Sequence, residues 1–122
     1  MSEVNALEAI ERVRRAISGT RAPAGEVAVD LKALEGEGGA VRRVGVVAVP
    51  GTDDVSHVDL ELRTAASLAA LRGAFGEGEE LPQVHWDEPR SLFFQLPSVA
   101  VIAQLVPGDE ESVRMLSLRR DA

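Results

Sequence analysis

Apolar residues near the C-terminus follow the two-residue period of strands. Within residues 92–96, Leu92, Phe94 and Leu96 would share one side of a strand, with Phe93 on the other. Residues 99–106 are also apolar at both odd and even positions. These segments therefore predict two strands whose faces both require cover from water.

A second face that needs cover predicts a contact with another subunit or another protein. The candidate interface residues are Trp86, Phe93, Phe94, Val101 and Ile102. Because the two phenylalanines lie on opposite sides of one strand, Glu at one position should unfold the protein. Glu at the other position should leave a folded monomer.

The remaining chain predicts two helices and further strands. A stripe at three- and four-residue spacing predicts a helix over residues 2–18, capped by Ser2 and followed by Gly19. Residues 65–75 predict a second helix, capped by Thr64. Strands are predicted at residues 26–32, 41–49 with a bulge near Gly45, 57–63, 83–86 as a short extended piece, 91–96, 99–106 and 113–119.

These elements predict one α+β domain spanning residues 1–122. Short turns favour a single antiparallel meandering sheet of six to seven strands, in the order α-βββ-α-ββββ, with two helices packed on one face. That order of elements resembles the fold of class I type III secretion chaperones, and the resemblance implies a role in binding another protein.

Composition narrows the classes of partner. The net charge of −7 disfavours nucleic acid and anionic membranes, which are bound mainly by cationic surfaces. The sequence has no cysteine, no signal-peptide pattern and no apolar run of membrane-spanning length, so we expect a cytoplasmic protein. Acidic residues near positions 77–80 and 109–111 point towards a basic protein partner.

Two clusters that contain a histidine are the candidates for chemistry. His85 and Asp87 are two residues apart and would point the same way on an extended segment, as a histidine–carboxylate pair. His57 with Asp53, Asp54 and Asp59 could supply metal ligands. The side chains of His57, Asp59, His85 and Asp87 could also supply the polar groups of a pocket near His85 and Trp86. Turn and surface roles explain the same residues, and neither of the nucleophile motifs GxSxG and SxxK occurs.

Metal and phosphate sites are not predicted. Asp53 and Asp54 suit a turn, and no zinc-ligand spacing such as HExxH is present. The glycines at residues 36–39 and 73–78 lack the Lys-Ser/Thr of a phosphate loop and have glutamate neighbours. Arg12, Arg14 and Arg15 would form an anion site with the arginine pairs at 42–43 and 119–120 only if the three groups met in space.

Two hypotheses of function remain. The first is a non-enzymatic protein-interaction module, like an immunity protein or a chaperone, that acts through an apolar sheet surface as a homodimer or on another protein. It has no catalytic residue, metal or cofactor. The alternative is a small-molecule-binding or enzymatic α+β domain, which gains support if His57 and His85 line one concavity.

Overall fold

The computed structural model describes residues 2–19, 21–35, 39–83, 85 and 87–120, with the backbone alone for residues 2–5. Its helices are α1 (Ser2–Ile17), α2 (Ala24–Leu31) and α3 (Leu68–Phe75), and a 3-10 turn (Lys32–Glu35) follows α2. Its strands are β1 (Val41–Ala48), β2 (Val55–Ser67), β3 (Glu79–Glu80), β4 (Ser91–Leu96), β5 (Val99–Val106) and β6 (Asp109–Arg120).

All six described strands form one antiparallel sheet, in the order β1-β2-β6-β5-β4-β3. The prediction of an α+β fold with a single antiparallel sheet is confirmed. The last strand, β6, lies in the interior between β2 and β5. The two halves of the chain are therefore joined through the pairing of β2 with β6.

The helices cover one side of this sheet, which we call the helix face. Val58 pairs with Leu118 and Leu60 pairs with Leu116 across β2 and β6, and all four side chains are buried. Helix α1 contacts both of these strands as well as α2 and α3. Each large apolar side chain buried here contributes about 1.5–3 kcal/mol, so this layer is the principal source of stability.

Helix α1 has the predicted amphipathic pattern, and its C-terminus is held by the last strand. Ile10, Val13 and Ile17 are fully buried at three- and four-residue spacing. The guanidinium of Arg120 donates hydrogen bonds to the carbonyl oxygens of Ile17 (2.9 Å) and Gly19 (2.8 Å). A cation that satisfies terminal carbonyls also interacts favourably with the helix dipole.

The predicted strand at residues 26–32 is wrong, because Ala24–Leu31 forms helix α2. Val27 and Leu31 are buried while Val29 is 77% exposed. Residues i and i+4 share a side in a helix as well as in a strand, whereas residue i+2 shares that side only in a strand. The resemblance to secretion chaperones assumed three strands between the first two helices, and it loses that basis.

Other predicted boundaries also require correction. Strand β2 continues to Ser67 because Ala66 still pairs with Val113, so Ser67 rather than Thr64 caps α3; its Oγ accepts the N–H of Ala70 at 3.3 Å. The bulge predicted near Gly45 is an irregularity between Val41 and Arg43, and a second lies between Val47 and Ala48. Of the extended piece predicted at 83–86, Gln83 and His85 belong to no strand, and residues 84 and 86 lie outside the described residues. The short strand β3 lies earlier in the chain, at Glu79–Glu80.

Gly78 is required by a close contact with the core. Its φ of +79° is a conformation that side chains disfavour, and a Cβ there would lie 2.7 Å from Cε1 of Phe94. The Phe94 ring is fully buried and meets Phe75 edge to face, with ring centroids 6.1 Å apart. The segment that precedes β3 can therefore lie over Phe94 only without a side chain at position 78.

We expect Gly78→Ala to destabilise the protein more than Gly108→Ala. Both glycines have φ near +80°, which costs alanine about 1–2 kcal/mol, but a Cβ at Gly108 meets no atom within 4 Å. Overpacking against Phe94 should add about 1–3 kcal/mol at Gly78. Urea unfolding of the two variants measures the difference, and equal losses of unfolding free energy would contradict the contact.

Candidate functional site

The strand register defines the side of the sheet opposite the helices, which we call the open face. Its central row, read through successive pairings, consists of Gly45, Asp59, Ser117, Ile102 and Phe93. The flanking rows are Val47, His57, Arg119, Ala100 and Gln95, and Arg43, Glu61, Met115, Gln104 and Ser91. The open face thus has a charged half on β1 and β2 and a more apolar half on β4 and β5.

The apolar half is centred on a cross-strand pair. Phe93 lies directly opposite Ile102, and both side chains are half-buried. Phe94 and Val101 also oppose each other, but they lie on the helix face and are 1% and 0% exposed. Of the predicted interface residues, Phe93 and Ile102 are therefore together on the open face, Phe94 and Val101 belong to the core, and Trp86 lies outside the described residues.

The charged half contains one pair of the predicted pocket residues, His57 and Asp59. Nε2 of His57 lies 3.6 Å from Oδ2 of Asp59, and Nδ1 of His57 is hydrogen-bonded to Oγ of Ser56 at 3.2 Å. Oγ of Ser117, the cross-strand neighbour of Asp59, is buried without a hydrogen-bond partner in the part of the chain described.

The other pair lies in the turn that precedes β4. His85 and Asp87 are exposed, and the carbonyl of His85 accepts the N–H of Glu88 at 3.1 Å. Asp87 lines a surface depression of about 380 Å³ with Arg90, and neither His57 nor His85 belongs to its lining. Among the described residues, no group of three or more His, Asp and Glu side chains is placed to hold a metal ion.

The basic clusters have separate structural roles. Arg12 pairs with Asp30 at 3.3 Å, while Arg14 and Arg15 both pair with Glu11. The hydrogen bond from Arg14 lowers the pKa of Glu11. These pairs are largely exposed and contribute about 0–1 kcal/mol each. Together with the contacts of Arg120 to backbone carbonyls, they account for most of the arginines that the sequence suggested for an anion site.

Two acidic segments meet around a groove that the sequence did not predict. Glu77, Glu80, Glu110 and Glu111 border a depression of about 430 Å³ whose lining includes Leu68, Leu92 and Leu105. The end of β3 and the turn between β5 and β6 fall at the same end of an antiparallel meander, which brings these segments together. The predicted strand order could have indicated this groove, because alternating strand directions bring these two segments to the same end of the sheet.

Arg90 partly neutralises the acidic groove. Its Nε lies 2.5 Å from Oε1 of Glu80, and its Nη1 pairs with Glu110. The hydrogen bond from Arg90 lowers the pKa of Glu80, and the same bond raises the pKa of Arg90. Glu77 in turn lies 3.7 Å from Nε of Arg72, which also lines the groove. Among the described residues, Glu111 is therefore the one glutamate of the four without an ion-pair partner.

Comparison of the chain with protein-family models, with curated proteins and with solved structures found no match. None of the described helices has the length and apolar character needed to cross a membrane.

We expect Arg90→Ala to raise the pKa of Glu80 towards its ordinary value of 4.5. Because the pKa of Glu80 in the folded protein lies below 4.5, the pair of Arg90 and Glu80 stabilises the native state at pH values above 4.5. This stabilisation is lost as the pH falls through the folded-state pKa of Glu80. NMR titration of the Glu80 carboxyl carbon measures the change. Arg72→Ala, which removes the partner of Glu77 instead, is the control and should leave the titration of Glu80 unchanged.

Proposed function

We propose that this protein is a non-enzymatic protein-interaction module whose open face binds another protein. The observation that carries the proposal is the one-sided cover of the sheet. The helices lie on the helix face, while the pair of Phe93 and Ile102 is half-buried on the opposite side. Aromatic and aliphatic side chains in such a position are typical anchors of protein interfaces.

The charges around the apolar half favour a partner with a basic border. Glu79 is the direct cross-strand neighbour of Phe93, and Glu80 follows it. Asp59 and Glu61 lie on the other half of the open face, and the chain carries a net charge of −7. A second copy placed face to face would bring like charges together, whereas a basic protein surface would be attracted. A cytoplasmic location stays a prediction from the sequence.

A small-molecule or enzymatic role is the second candidate, and the contact between His57 and Asp59 is what favours it. From the sequence, this role would gain support from a concavity that both His57 and His85 line. The cavity in the turn before β4 includes Asp87 without either histidine. If that role is correct, His57→Ala should abolish binding or turnover of the small molecule, whereas Phe93→Lys should weaken only the binding of a protein.

Glu substitutions at positions 93 and 94 should have different effects on stability. Phe94 is 1% exposed on the helix face, so Phe94→Glu buries a charge and should cost at least about 4 kcal/mol of unfolding free energy. Phe93→Glu should cost about 1 kcal/mol and leave the chain folded, with part of that cost arising from repulsion by Glu79. Circular dichroism and urea unfolding measure both variants; equal destabilisation would contradict the assignment of faces.

Phe93→Lys is the sharper variant for binding, because Lys at this position faces Glu79 favourably and yet opposes a basic partner. A photo-crosslinking residue at position 102 in cells of the source organism should identify the protein that contacts the open face, with position 72 on α3 as the control site. We expect the purified partner to bind Phe93→Lys at least about tenfold more weakly than the wild type. Unchanged affinity of the folded variant would refute the proposal.

A further inference from the structure

Exposed apolar side chains concentrate along one border of the sheet. Four large apolar residues are exposed among those described, and three of them, Val29, Val47 and Val49, lie on or beside β1. The fourth, Met115, lies on the interior strand β6. Val29 on α2 is 77% exposed, far more than the others. This border is distinct from the pair of Phe93 and Ile102 on the open face.

Strand β1 is the end strand of the sheet, so its outward backbone groups pair with no other strand in the part of the chain that the structure describes. The N–H of Val44 points away from β2 and donates to Oε2 of Glu35 at 2.7 Å. By the alternation of an antiparallel strand, the backbone groups of Val46 point the same way. An edge of this kind pairs readily with another strand.

A recess lies beside this edge on the helix side. Its volume is about 280 Å³, and its lining includes Ala28, Val29, Val44 and Val46. When a strand adds to a sheet edge, its backbone supplies hydrogen bonds and its alternate side chains fill such recesses. The edge and the recess together therefore form one interaction surface.

We propose that two copies of the chain pair through this surface, with their β1 strands antiparallel about a two-fold axis at Gly45. Val44 of each copy then faces Val46 of the other, and each of these two pairs exchanges two backbone hydrogen bonds once Glu35 releases the N–H of Val44. The two Gly45 residues meet at the axis, where Cα atoms approach to about 4.5 Å and absent side chains suit the close contact. The six-stranded sheets become one continuous sheet.

Charge complementarity selects a second copy in this orientation. Arg42 and Arg43 lie near the start of β1, and the exposed residues Asp53 and Asp54 follow its end. In the antiparallel pairing, the basic start of one strand lies beside the acidic turn of the other, and Arg43 faces Val47 rather than another arginine. A contact of this kind is isologous, so the exposed Val29 on each α2 is brought towards its counterpart. The open faces stay free on the same side of both copies.

Sedimentation equilibrium of the full chain, from about 1 µM to 1 mM, tests the pairing. The wild type should dimerise reversibly in this range. Val47→Lys places a second cation opposite Arg43 and should weaken the dimer about fivefold, whereas Val47→Glu should strengthen it by a similar factor. Met115→Lys is the matched control, since Met115 has similar exposure on the same side of the sheet but lies away from the edge.

A wild type that stays monomeric at about 1 mM would overturn the proposal. Equal shifts in dissociation constant for Val47→Lys and Val47→Glu, or for Val47→Lys and Met115→Lys, would overturn the proposed register. A dimer that Phe93→Lys disrupts and Val47→Lys leaves unchanged would place the contact on the open face, contrary to this inference. Opposite shifts at Val47 with an unaffected Met115 variant would support it.

Discussion

The pairing of β6 with β2 is the constraint on which the rest of this structure depends. It places the last strand in the interior of the sheet and joins two halves of the chain that are separated by α3. Leu116 and Leu118 thereby lie beside Leu60 and Val58 in the core, and α1 packs against the two strands that carry them. At the end of the same strand, Arg120 holds the C-terminus of α1 through backbone carbonyls. Helix and sheet are therefore fixed to each other by one strand.

The position of β6 also determines which edges and which face of the sheet other proteins can contact. With β6 inside, β1 becomes one edge, and the two-residue β3 becomes the other. The helices occupy one side, so the pair of Phe93 and Ile102 has no described helix above it. The two proposed surfaces, the open face and the border at β1, follow from a single topology. They lie at different places on the sheet, so a partner on one need not exclude a partner on the other.

The sequence predicted which residues of the candidate site share a face of the sheet. It did not predict which of the two faces lies against the helices. A two-residue period already placed Phe93 and Phe94 on opposite faces. Only the cross-strand register showed that Phe94 and Val101 face the helices, because each side of these strands is similarly apolar in sequence. The histidine–aspartate pair on β2 formed a contact because residues two apart share a side. The acidic groove was not predicted, since it joins residues from two turns.

The sequence by itself determined the α+β class, the long amphipathic helix and the main strands, because these depend on local periodicity that is repeated over enough residues to be unambiguous. It did not determine α2, because Val27 and Leu31 match both periods and the apolar Val29 matches the strand period alone, although Val29 is exposed in the helix. The tertiary structure alone decided the strand order, the side taken by each phenylalanine and the exposed edge at β1. The physical reason is that these features arise from hydrogen bonds and packing between segments far apart in the chain, on which local periodicity carries no information.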